Sequence, residues 1–152
     1  VQSAKGIYYQ ERSFDGTIEA AWGEAADRAE ATGRDAAVAH VERILSYDHA
    51  SFEEGTGEAK RLMTESFAKE YDDTIALVRE DAVERESVVT AEVVAASVVS
   101  ATRDRVEALL FVNQTTEAAD LEEPRVDLNR VVVTLVPAAE ADRWLVEDID
   151  AL

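Results

Sequence analysis

The chain contains no cysteine. That absence excludes disulfides, thiol nucleophiles and thiolate metal sites, and it leaves the redox compartment open. Glycine is scarce, six residues scattered over 152, so no glycine-rich loop is available to cradle a phosphate. There are two histidines. His40 lies inside a helical pattern and His49 in the turn SYDHAS; neither has a second histidine four residues away, and no Asp-rich calcium loop is present, so no metal site is expected. No stretch reaches the roughly 18 to 20 apolar residues that cross a bilayer, and no signal peptide precedes the first helix. Basic residues are few as well: 15 Lys and Arg against 33 Asp and Glu give a net charge of −18. A surface of that sign repels phosphate backbones and anionic headgroups, which argues against nucleic acid as a partner and against peripheral electrostatic attachment to a membrane.

What is present is a folding pattern. The hydrophobic fraction is 47%, and the apolar residues come in periodic groups, so the acidity belongs to a folded surface rather than to a disordered chain. The length suits one domain with a real core. From Thr17, read as an N-cap, apolar residues fall at Ile18, Ala21, Trp22, Ala25 and Ala29 and resume at Val38, Val41 and Leu45. This spacing predicts a long helix or two collinear ones, with a bend at Gly33. Residues 46–58, with two glycines, read as a loop or short helical turn. Leu62, Met63, Phe67, Tyr71, Ile75 and Val78 then predict a helix over about 59–83, with Thr64 as a cap.

From Ser87 onward valine, threonine and alternating polar residues predict strands at about 87–100, 104–116, 125–137 and 142–149. Helices followed by strands indicate an α+β domain with a four-stranded antiparallel sheet. In the third strand Val126 and Leu128 share one parity and Val131, Val133 and Leu135 the other, which predicts a β-bulge at Asn129–Arg130 and a strongly curved sheet.

Candidate chemistry is sparse. No G-x-S-x-G elbow is present, and no serine adjoins a histidine in sequence. Glu92, Glu107 and Asp127 lie on predicted strands, where an inward carboxylate with raised pKa would serve as a general base, although an acid on a strand usually marks the solvent side. Trp22, Phe67, Tyr71, Phe111 and Trp144 would line a ligand cavity between helices and sheet, or simply form core. Asn113-Gln114-Thr115 fits a glycosylation sequon, but the Ala/Val/Arg/Asp-rich composition suggests a high-GC bacterial source in which that modification is not expected. Counting about the 117–123 connection places Asn113 opposite Asp127, so that the polar end of one strand meets that of the next.

The stretches LLFVNQTT, PRVDLNRVVVTLV and DRWLVEDIDAL, with ILSYDH and LMTESFAKEYD upstream, resemble the actinobacterial Mce-associated membrane proteins, which accompany mammalian-cell-entry lipid importers. The resemblance covers residues 36–152; residues 1–35 match only as a membrane-proximal helical approach segment. It implies a nuclear transport factor 2-like (cystatin-like) cone, with N-terminal helices on the curved sheet. It further implies an extracytoplasmic domain of a single-pass cell-membrane protein whose N-terminal anchor lies outside this sequence, consistent with a chain that opens on Val1. The implied role is that of a non-enzymatic accessory or scaffold without cofactor, partnered by Mce transporter subunits, by other envelope proteins or by copies of itself. The long, aromatic first segment and the acidity depart from that family. Two other readings fit the same residues. One is a small-molecule-binding or isomerase/lyase-like pocket with Asn113, Asp127, Glu92, Trp22 and Tyr71 as ligand-binding candidates. The other is an assembly component of a type IV secretion or conjugation system.

Overall fold

Small and apolar residues recur every three to four positions on one side of the first helix, at Ala29, Gly33, Ala37, Val41 and Ile44, and all five are buried. The computed structural model describes residues 2–140 and 143–152, with side chains from residue 20 onward. Helix α1 (Gln2–Ile44) runs unbroken for 43 residues, so it begins well before Thr17 and does not divide at Gly33. The position of Gly33 is explained by packing. A Cβ there would lie 2.7 Å from Cγ2 of Val106 and 3.0 Å from its Cγ1, closer than carbon atoms can sit, so glycine lets the helix axis approach the sheet. A boundary between residues 35 and 36 falls inside α1, and Ala29 and Gly33 already pack on the domain.

After α1 come strand β1 (Tyr47–Asp48), a 3-10 turn (His49–Ser51), α2 (Phe52–Lys60) and α3 (Glu65–Glu84). The segment predicted as a loop or short helical turn therefore holds a short strand, a 3-10 turn and a helix. The predicted helix start at residue 59 is displaced to 65, where the Thr64 hydroxyl accepts a 3.3 Å hydrogen bond from the Phe67 amide as the expected N-cap. Strands β2 (Val88–Thr102), β3 (Arg105–Glu117), β4 (Arg125–Pro137) and β5 (Trp144–Ala151) follow within two residues of their predicted limits; the predicted start of the last at 142 lies outside the described residues. All pairs are antiparallel in the order β1-β2-β3-β4-β5, so the sheet has five strands rather than four, because Tyr47 and Asp48 pair with Val89 and Val88.

The bulge expected at Asn129–Arg130 is absent: β3 and β4 stay in register from Val106↔Leu135 to Thr116↔Arg125. The parity change has another cause. Val126 (55% exposed) and Leu128 (78%) lie on the outer face, while Asp127 and Asn129 occupy the inner-face positions that Val131, Val133 and Leu135 continue. Register shifts fall instead within β2, after Val93 and Val98, and between Thr134 and Leu135 opposite β5. Two extra residues in one long strand increase twist and bend it around α1. The core fills the concavity, with Val41, Val106, Ala108, Leu110, Val112, Val133, Leu135 and Val146 fully buried.

The two sheet edges differ. Along β2 the free amide of Ala91 donates to Ser46 Oγ at 2.8 Å and that of Val93 to Glu42 Oε2 at 3.1 Å, so the end of α1 closes that edge with side chains. On the opposite side Val146 donates to the Leu62 carbonyl (2.8 Å) and accepts from the Thr64 amide (2.9 Å), which fixes the α2–α3 connection onto β5.

Two predictions follow from the packing of α1. Replacing glycine by alanine inside a helix gains about 1 kcal/mol of propensity, whereas overpacking costs roughly 1–3 kcal/mol. Gly33→Ala is therefore expected to lower unfolding free energy in urea, and the same change in a Val106→Ala background to raise it; equal losses in both backgrounds would refute the close-approach account. The second concerns His40, whose Nε2–H donates to the Trp144 carbonyl at 2.9 Å. Burial lowers its pKa; the bond to Trp144 opposes this and the Arg143 charge adds to it. A depressed native pKa means that the unfolded chain takes up the proton first, so stability is complete above the unfolded value of about 6.5 and is lost as pH falls through the native value. Urea midpoints measured between about pH 8 and pH 5 should decline below about 6.5, and less steeply in His40→Gln.

Candidate functional site

The inner face of the sheet is not filled along its whole length. Where α1 ends and α3 crosses, a cleft of about 490 Å³ opens between Ile44, Leu45 and Tyr47 on one side, Phe67, Tyr71, Ile75 and Val78 of α3 on another, and Gln114, Asn129, Val131, Ile149 and Ala151 of the sheet as its floor. The α3 wall is the helical stripe visible in the sequence, residues four, four and three apart. Glu70 and Asp148 also line the cleft. The remainder is mostly apolar, so an occupant would be held chiefly by burial of hydrocarbon surface, with a few polar groups to orient it.

Two of the polar groups are already engaged. Gln114 Nε2 donates to the Leu45 carbonyl at 3.1 Å, serving the C-terminal end of α1. Asn129 Nδ2 donates to Gln114 Oε1 at 2.7 Å, so the two amides form a chain across β3 and β4. Burial raises the Tyr71 pKa, with Arg43 opposing and Asp72 adding; burial also raises that of Tyr47, with Asp81 adding and Arg85 and Arg125 opposing. Both phenols stay protonated near neutral pH. The cleft thus presents shape, hydroxyl donors and amides. Among the described residues no group of three or more His, Asp or Glu side chains is placed to hold a metal ion.

Of the residues singled out from sequence, Phe67 and Tyr71 line the cleft. Asn113 and Glu92 do come together as register partners, but on the outer face, because Gln114 and Val112 take the inward positions of β3. Asp127 pairs in register with Gln114, one residue away from the expected partner Asn113, and its carboxylate accepts from Arg125 Nε at 3.1 Å. Trp22 is 63% exposed and borders a shallow depression with Ala26 and Thr102 to Asp104. Glu107 meets Arg105 at 3.3 Å, Phe111 is 41% exposed on the outer face, and Trp144 is buried with its indole N–H donating to Thr32 Oγ1 at 3.0 Å. The amide pair Gln114–Asn129 was the polar feature that parity alone would have found, by stepping two residues at a time from the buried Val112 and Val131. A second cavity, of about 380 Å³, is bordered by Arg28, Arg103 and Arg143; the latter two meet Asp104 and Glu140.

No family model matches the chain, and no curated protein matches it. Among solved structures it is similar to an IcmL-like type IV secretion system protein from Legionella pneumophila, with a TM-score of 0.68 and 10% identity over 80% of this chain and 91% of that one. It is also similar to VirB8 of Agrobacterium tumefaciens (TM-score 0.66, 12% identity, 82% and 92% covered). A third is CagV, a VirB8 homologue of the type IV secretion system of Helicobacter pylori (0.64, 14%, 80% and 97%). At such identities the likeness establishes the fold, which is the nuclear transport factor 2-like arrangement of N-terminal helices on a curved antiparallel sheet.

Proposed function

We propose that this chain is a non-enzymatic assembly domain of an envelope-spanning type IV secretion or conjugation apparatus, acting on the extracytoplasmic side of the cell membrane and tethered by a single N-terminal anchor. The observation that carries this reading is the extent of the structural likeness: the shared architecture takes in more than nine-tenths of each of the three solved chains from secretion-system proteins, so the likeness extends over the whole of the unit solved in each. The state of the cleft supports it. Its amides bond to each other and to the carbonyl at the end of α1, which suits a structural role. No described helix is long and apolar enough to cross a membrane, so the tether in this proposal lies outside the described helices.

A second reading, an accessory domain of an Mce-type lipid importer, is favoured by the resemblance of residues 109–116, 124–136 and 142–152 to that family. The cleft, with a volume suited to a small apolar ligand, is compatible with this reading.

The two readings separate by capture. The full-length gene product, tagged and cross-linked in its native envelope, is expected to recover other secretion or conjugation components, and its deletion to abolish transfer while leaving lipid uptake intact. Recovery of importer subunits with loss of lipid uptake would establish the second reading. Recovery of neither would overturn both.

A further inference from the structure

The outer edge of β5 beyond Val146 has no backbone partner among the described residues. The Leu152 amide donates inward to the Arg130 carbonyl at 2.9 Å, which fixes the alternation along the strand: the N–H groups of Asp148 and Asp150 face β4, and those of Ile149 and Ala151 face away from it. β5 is the last strand of the sheet, and the backbone bonds that cover its outer side stop at Val146. Among the described residues, Ile149 and Ala151 make no backbone bond on that side. An open edge is a template for another strand, and whereas Ser46 and Glu42 take the outward amides of Ala91 and Val93 on β2, the outward amides of Ile149 and Ala151 on β5 have no such side-chain partner among the described residues.

The side chains define what would fit. Ile149 and Ala151 turn toward the cleft and line it, so alternate residues of an added strand would project into the 490 Å³ space between the sheet and α3. The intervening residues would lie beside Asp148 and Asp150, both exposed and, among the described residues, without an ion pair. A second copy of this chain is a poor occupant, because antiparallel pairing of two β5 edges would set aspartates against aspartates between bodies that each carry −18.

We infer that the β5 edge, Ile149 to Ala151, binds an extended segment of a partner protein by strand addition, with apolar side chains alternating with basic ones: apolar into the cleft, Lys or Arg against Asp148 and Asp150. The inference takes its geometry from the edge and cleft, and rests on the assembly reading only for the source of the partner.

The test uses the intact chain and a fluorescein-labelled peptide, Lys-Val-Lys-Leu-Lys-Val-Lys, read by fluorescence anisotropy. The peptide should bind with amide chemical-shift changes at residues 147–152 and along α3. Methylating alternate backbone nitrogens of the peptide, which removes pairing without touching the protein, should weaken binding at least about tenfold. Exchanging its lysines for glutamate should do the same, as should Asp148→Lys with Asp150→Lys. Ala151→Pro removes an outward N–H, leaves the β4 pairing intact, and should also weaken binding while the melting temperature is retained. No binding up to about 1 mM overturns the inference. So does undiminished binding of the methylated peptide, or shifts centred on Phe111, Val126 and Leu128 of the outer face. A dimer of the free chain that Ala151→Pro dissociates would overturn it in favour of self-pairing. Peptide binding without secretion components in the envelope capture would leave the edge site standing and count against the assembly reading alone; the reverse pair of results would overturn the edge site alone.

Discussion

The approach of α1 to the sheet at Gly33 and Val106 is the constraint on which the remaining geometry depends. A helix lying this close must present glycine and alanine to the strands, which Ala29, Gly33 and Ala37 supply, and the sheet must bend to keep contact along it. The register shifts in β2 provide that bend. With its C-terminal half seated on Val106, α1 and the two residues after it deliver Glu42 and Ser46 to the amides of Val93 and Ala91, and the Leu45 carbonyl to Gln114. Helix closeness, edge protection and the floor of the cleft are thus consequences of one contact between two elements distant in sequence.

Much of this was legible from the residues. Strand limits followed from the switch to valine and threonine, the α3 stripe from its four-four-three spacing, and the Thr64 cap from its position ahead of that stripe. What misled was parity near the strand ends. Val126 and Leu128 suggested a broken register because they are apolar, yet they face outward, and the inner face at the same level is polar. That inversion arises because the sheet extends past its core: beyond Val131 and Val112 the inner positions line an open cleft, where amides are tolerated. Asn113 was favoured over Gln114 for the same reason, a one-residue ambiguity that only the pairing register resolves. The role of Gly33 was out of reach as well, since the atoms that exclude a Cβ belong to a residue 73 positions later.

The cleft would admit a ligand by volume, and two of its polar groups, Gln114 and Asn129, belong to the chain of bonds that holds the end of α1 to the sheet. Stable amide chains of this kind fix geometry, since each member is satisfied only while both strands and the helix end stay in place. A fold shared with secretion-system domains at 10–14% identity is in keeping with this: the architecture is retained by backbone approach and register, which many sequences satisfy.

Closure of the β2 edge by the protein's own helix has a consequence for stoichiometry. A sheet open on both sides can be extended indefinitely, as in fibrils, because each added strand exposes a fresh template. Here Ser46 and Glu42 occupy the outward amides of Ala91 and Val93, so an incoming strand cannot pair along that part of β2. The helix end thus works as a chain terminator along that stretch, capping from within the molecule two of the amides through which a sheet-rich domain would polymerise.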